Sequence, residues 1–554
     1  MWVYLVRVNL NAPTVTRHTR LIVLLAAWPA LLGAAILVLA RSARHDWRNG
    51  DTLVLVDGIP RLSACLHSHV FLRCNAYKGT TFGSVSKFPL LQQAPALLLH
   101  ELGLSTGGTM GWLTRLNAAA VVGLAVVTVA WAYRRSGAPL AVLSGVLLLP
   151  GMLLSYTVSS FGEPLAVVAF VLLVLTALRR DRVSRFLFVA TVLATVSKET
   201  AAPFVLLVGV AAIGLSGAGL PVARRAFLHL CAGAAAGVGV LAAMNEFRYG
   251  TLLNYAYLNE ARATRSMLPS NAFGMLISPN AGIAWFWPGA ALALLVLAAA
   301  VVRPPRGFGC SASRVRVSAA LGLVFFAVTV GALADWWAPF GWYAWGPRLL
   351  MPTAGAVVAL ALPLFDSHVL RRTWLSPVGM AALALVAGLA LLPSVGIVYN
   401  HGAYTAQVIA TWKERPVCSP SVRVKTQQDK DMCARRMTWR TTSMPLTQAV
   451  TRAAPQRRYK AAVGLGWVSI VLWLGVARGA SSRTTPGDRQ PNEPADTAAE
   501  GGEGGEQDGQ EGDLSAEGDL SAEGELSEEG DREQEGRQER QGEGLEREDR
   551  ATLS

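Results

Sequence analysis

A chain of 554 residues that is 52% hydrophobic and only 16% charged, with a mean hydropathy of +0.36, carries more apolar surface than one soluble core can bury. Its formal net charge of +13 is unevenly spread. From Asp488 onward 23 carboxylates face 6 arginines, a net of −17, which leaves +30 on the rest. Those cations flank apolar runs and form no basic patch interleaved with stacking aromatics, so nucleic acid is excluded as a partner and the membrane is implied.

A helix needs roughly 20 apolar residues to cross a bilayer. The first such run, 21–40, is too long and clean for a secretory h-region and reads as a retained span. Further spans fall at 117–133, 140–158, 165–178, 186–196, 204–215, 227–244, 282–302, 319–333, 349–364, 377–398 and 461–476. The runs around Val192 and Leu207 are short and read as broken or tilted. The sequence thus predicts an all-α polytopic membrane protein of about 12 transmembrane helices. Its layout is a cytoplasmic N-terminus at 1–20, a membrane domain at 21–480 and a tail at 481–554.

Under this count Arg134, Arg135, Arg179, Arg180, Arg182, Arg185, Arg224, Arg225, Arg303, Arg306, Arg314, Arg316, Arg371 and Arg372 fall on one side. The positive-inside rule makes that side the cytoplasm of a multi-pass cell-membrane protein, with both termini on it. Three long loops, about 41–116, 245–281 and 399–460, then face outward. Cys65 and Cys74 lie in the first and Cys418 and Cys433 in the last, while Cys231 and Cys310 are intramembrane and cytoplasmic. Pairs outside and single thiols inside fit an oxidising exterior, so two disulfides are expected. A zinc site at Cys65, His67, His69 and Cys74 is the rejected alternative, because one residue between two histidines is not a usual ligand spacing.

The tail repeats with a period of six in "EGDLSAEGDLSAEGELSEEG" (Glu511 to Gly530) and lacks aromatics. It cannot bury enough apolar surface to offset its ordering entropy, so a disordered acidic cytoplasmic tail is expected.

Fourteen carboxylates lie outside the tail. Asp181 and Asp366 fall in cytoplasmic loops, and Asp429-Lys-Asp431 reads as a solvated face, as does Glu414. The remainder, Asp46, Asp51, Asp57, Glu101, Glu163, Glu199, Glu246, Glu260 and Asp335, sit mostly at outward ends of spans, where a site facing the exterior would gather them. In "SSFGEPLAV" Glu163 precedes Pro164 at a helix start, a place where a carboxylate also simply complements the macrodipole. In "TVSKETAAP" Lys198 and Glu199 are neighbours about 100° apart on a helix, so each is expected to have another partner.

In order, the chain carries a first span with a long acidic loop, "SVSKFPLLQQAPALLL" from Ser84, "FGEP", "SKET", "MLISPNAGIAWFWPG" from Met275 and "GWYAWGPRLLMP" from Gly341. This series resembles the GT-C superfamily of integral-membrane glycosyltransferases, of the aminoarabinose transferase and protein O-mannosyltransferase types. The Ser-Lys-x-Pro, Ser-Pro-x-x-Gly and Trp-Gly-Pro-Arg segments carry it. The resemblance implies a cell-envelope enzyme that moves a hexosyl or pentosyl unit, with inversion, from a polyprenyl-phosphate carrier to a lipid, glycan or protein hydroxyl outside the membrane. The chain departs from the family in having no acidic pair in its first loop, so a divalent metal has no support there and no cofactor is assigned.

Such a transfer needs a base for the acceptor proton and cations for the phosphate left behind. Asp51, or else Asp46, stands just beyond the first span, in the loop where the family places its base. Arg348 offers a planar fork at headgroup depth, and Lys87 and Lys198 are further cations. Trp342, Tyr343 and Trp345 either stack on sugar and prenyl chain or belong to an interfacial aromatic belt. The alternatives are a transporter or lipid flippase, which would show internal repeats and a mid-membrane site, and a scaffold whose tail recruits partners.

Overall fold

The computed structural model describes residues 50–68, 90–180, 183, 185–198, 203–254, 267–279, 282–305, 310–336, 346–399 and 445–481. The chain divides into two units, Met1–Asp488 and Arg489–Ser554, and every described residue belongs to the first. The first span, Asp46, the 399–460 loop short of its last residues, and the acidic tail thus lie outside the described residues.

The described residues are mostly helical, with no strand among them. The helices are α1 (Gly50–His67), α2 (Leu90–Glu101), α3 (Thr106–Ser136), α4 (Ala138–Leu148), α5 (Met152–Tyr156), α6 (Glu163–Ala177), α7 (Arg185–Ser197), α8 (Val205–Leu215) and α9 (Leu220–Tyr249). Then come α10 (Leu268–Ile277), α11 (Ile283–Phe286), α12 (Pro288–Val302), α13 (Ala312–Ala334), a 3₁₀ turn at Arg348–Leu350, α14 (Met351–Phe365), α15 (His368–Trp374), α16 (Pro377–Tyr399), α17 (Pro445–Ala453) and α18 (Arg457–Ser481). Six of these segments are long and apolar enough to cross a membrane: α3, α9, α13, the 3₁₀ turn with α14, α16 and α18. Shorter apolar helices (α4, α6, α7, α8, α10, α12) fill in between them, and the protein is a multi-pass membrane protein.

Eleven of the twelve expected spans fall on described helices. Two are interrupted. The 140–158 span breaks at Pro150-Gly151 between α4 and α5, and the 282–302 span breaks at Trp287-Pro288 between α11 and α12. Proline has no N–H to continue the ladder, and Gly151 takes a φ of 125° that an L side chain rarely adopts. The breaks face each other: a Cβ on Gly151 would come 2.6 Å from the Phe286 carbonyl oxygen, and Trp287 Nε1 donates to the Leu147 carbonyl at 3.1 Å. That bond fills a ladder position vacated at the end of α4.

The segments expected to face outward also contain helices. The first contains α1 and α2, and the second contains α10. In α1 and α2 the residues Ile59, Leu62 and Ala96 join Leu113 of α3 in a small apolar cluster, with Met244 and Phe247 of α9 beside it. Burying that face is what makes helices of a stretch too polar to span.

At the centre stands α14, every residue of which is buried. It packs on α4, α6, α8, α12 and α13, and α6 also packs on α3 and α7. One end of this bundle gathers arginines. Arg135 Nη1 donates to the Leu178 carbonyl (3.5 Å), Arg180 Nε to Ser216 (3.2 Å), Arg316 Nε to Val301 (3.0 Å), and Arg314 to both Ala218 (2.9 Å) and Ile213 (3.2 Å). These are carbonyls at or just past the C-termini of α6, α8 and α12, where the helical ladder runs out of donors; that of Ile213 also accepts from Ser216. The cations expected from topology alone therefore also cap helices.

Candidate functional site

The other end of α6 holds the site. At 15 residues α6 is about 22 Å long, so Glu163 at its start lies that far from the Leu178 carbonyl that Arg135 caps. Pro164 follows at a position where its missing N–H costs nothing, and Glu163 complements the helix dipole. Its carboxylate does more. Glu163 Oε1 stands 3.2 Å from Arg348 Nε, with both side chains largely buried.

Arg348 is only 4% exposed, and its guanidinium lies 4.2 Å from the centroid of the Phe161 ring. Carboxylate on one side and aromatic face on another together offset the desolvation of a permanent cation. The turn before it is set by Gly346, at φ 62°, where a Cβ would come 2.7 Å from the Phe286 ring and 3.0 Å from Met152 Sδ. Gly346 therefore rests on the two helix breaks, and the "WGPR" sequence is legible as a left-handed turn, a proline and the cation it presents.

Lys198 comes directly after α7 and is also buried. Its Nζ donates to the Leu349 carbonyl at 3.4 Å, and the charges acting on it are Glu163 and Arg348. Glu163, 35 residues away in sequence, is thus near enough for its charge to act on Lys198. Among the described residues two cations and one carboxylate lie together in a water-poor place, a net positive charge suited to an anion.

The loop that delivers Phe161 and Glu163 is held by residues that sequence reasoning missed. Asn117 Nδ2, in α3, donates to the carbonyls of Ser159 (2.6 Å) and Phe161 (2.7 Å). Gln92 Nε2, in α2, donates to the carbonyl between them, Ser160 (3.1 Å). The available signal was an amide side chain inside an otherwise apolar run, which demands a polar partner.

A third buried cation contacts α2 at the residue next to Gln92. Arg248 of α9 is fully buried, donating to Gln93 Oε1 (3.2 Å) and Asn245 Oδ1 (2.5 Å).

The remaining expected residues are described only in part. Asp51 lies in the first turn of α1, and nothing is described of its side chain. His67 and Ser63 of α1 both hydrogen-bond Glu101 of α2, His67 at 2.8 Å, so the two helices share their C-terminal ends. Those two bonds hold the exposed Glu101 carboxyl below its ordinary pKa, the hydroxyl first and the imidazole second. Asp51 starts α1 at the opposite end, about 24 Å away along the axis. Asp46, Lys87, Glu199, Tyr343 and Trp345 lie outside the described residues, as do Cys74, Cys418 and Cys433. Cys65 is disulfide-bonded, and Cys231 and Cys310 are free thiols. Among the described residues no three His, Cys, Asp or Glu gather as metal ligands.

Neither a family model nor a curated protein matches the chain. Among solved structures it is similar to the crystal structure of ArnT from Cupriavidus metallidurans in the apo state, at 16% identity over 82% of this chain and 78% of that one, with a TM-score of 0.39.

Proposed function

We propose that the chain is a membrane glycosyltransferase that moves a sugar from a polyprenyl-phosphate carrier to an acceptor hydroxyl outside the membrane. The observation that carries this reading is the buried, net-positive cluster of Arg348, Lys198 and Glu163 at the end of α6 away from the arginine-rich end. With the arginine-rich end in the cytoplasm by the positive-inside rule, the cluster meets the outer leaflet. A lipid phosphate is the anion that reaches such a depth.

In this mechanism Asp51 takes the proton of the acceptor hydroxyl, with Asp46 as the reserve base. The hydroxyl oxygen attacks the anomeric carbon as its bond to the phosphate oxygen breaks, a single displacement that inverts the centre. Arg348 receives the charge that develops on the phosphate, with Lys198 beside it and Lys87 as a further cation. Glu163 holds the guanidinium in place. Trp345 and Tyr343 contact sugar or prenyl chain, and Glu199 belongs to the polar rim.

The test is an assay of membranes that contain the protein, supplied with labelled polyprenyl-phosphate sugars. Wild type should move label off the lipid, and Asp51→Asn should lower turnover by about 10²–10⁴ while donor binding survives. Loss in Asp46→Asn in place of Asp51→Asn moves the base and keeps the mechanism. Full activity in both variants and in Arg348→Ala would remove the site, and lipid that crosses the bilayer with its sugar intact would indicate a flippase.

A further inference from the structure

Residues 157–161, between α5 and α6, form a buried stretch that is not helical. Its carbonyls have no ladder to join, and inside a membrane bundle each needs a donor. Three in a row receive one from amide side chains: Ser159 and Phe161 from the two hydrogens of Asn117 Nδ2, and Ser160 from Gln92. Asn117 is 1% exposed, and helix α3 on which it sits packs directly on α6. Two residues delivered by this stretch touch the Arg348 guanidinium, Phe161 on its face and Glu163 on its Nε edge. Phe161 is further fixed by an edge contact with Tyr156, 5.6 Å between centroids.

We infer that Asn117, with Gln92 beside it, is a positioning residue for Arg348: its amide sets the 159–161 backbone so that ring and carboxylate hold the guanidinium in the orientation that meets the carrier phosphate. The last clause rests on the function proposed above; the first does not. Asn117 touches neither the guanidinium nor the anion and acts through the chain it holds. A side chain that merely satisfied buried carbonyls would affect folding alone. One that positions Arg348 must be coupled to Glu163.

The experiment is a double-mutant cycle on the purified full-length protein in lipid nanodiscs, with Asn117→Leu, Glu163→Gln and the pair. Two quantities are read: the unfolding midpoint, and the affinity of the folded protein for a polyprenyl monophosphate. Asn117→Leu should weaken lipid binding about tenfold, the loss expected for about one hydrogen bond's worth of orientation. In that background Glu163→Gln should add much less than it does alone, in both affinity and midpoint. Additive midpoint shifts, or lipid binding at wild-type strength in Asn117→Leu, would overturn the inference. Should wild type and Arg348→Ala bind the lipid equally, the transferase reading fails, and the midpoint cycle still decides whether Asn117 and Glu163 are coupled. If Asn117→Leu does not fold, Gln92→Leu, which removes one of the three bonds, takes its place in the cycle. Non-additivity with Glu163→Gln then supports the inference, and additivity overturns it.

Discussion

Arginine serves two purposes at the two ends of α6. At the end of α6 where Arg135, Arg180 and Arg314 gather, guanidinium groups are partly exposed and donate to backbone carbonyls at or just past helix C-termini. At the other, Arg348 is buried among a carboxylate, an aromatic face and a second cation. A capping guanidinium that is itself partly exposed leaves a place that water can take when it is removed. A buried cation does not, and its removal strands the groups arranged around it. The same residue type thus reads as topology and helix capping in one place and as a candidate anion site in the other, and burial makes the difference.

That contrast can be broken by mutation. The largest effect belongs to Arg348→Ala, which leaves the Glu163 carboxylate buried without its cation and should cost about 3–5 kcal/mol of stability, measured by denaturant unfolding in detergent. Adding Glu163→Gln should recover part of that loss, since the stranded charge is gone. A double variant as unstable as the sum of the two would show that the pair is not coupled.

Gly346→Ala should come next, at roughly 2 kcal/mol, from left-handed backbone strain together with a Cβ 2.7 Å from the Phe286 ring. It should also weaken lipid-phosphate binding, because the turn presents Arg348. The smallest effect is expected of Arg314→Ala, about 1 kcal/mol in the unfolding free energy from two lost caps, with lipid-phosphate affinity unchanged. A fall in affinity there equal to that of Arg348→Ala would erase the distinction between the two ends.

The difference between the ends also marks what the sequence can disclose. Helices α3, α9, α13, α14, α16 and α18 are legible as long apolar runs, and "WGPR" announces its turn and its cation. Pro150-Gly151 and Pro288 are legible as helix breakers, yet nothing in either run says that the two breaks pack on each other and seat Gly346. The Glu163–Arg348 contact spans 185 positions, and no local pattern encodes it. Asn117 and Gln92 were visible only as polar residues in apolar company. Their partners are backbone carbonyls, which carry no sequence signature at all. Helices α1 and α2 were hidden for another reason: their apolar face is short and is buried on α3 and α9.

The central claim is that the buried arginine, and not the capping arginines, receives a lipid-borne phosphate. Equilibrium binding of a radiolabelled polyprenyl monophosphate to purified wild type, Arg348→Ala, Arg348→Lys and Arg314→Ala, in nanodiscs, tests it most directly. Wild type and Arg314→Ala should bind alike, Arg348→Lys about tenfold more weakly through loss of the planar fork, and Arg348→Ala more weakly still. Equal binding by wild type and Arg348→Ala would contradict the account.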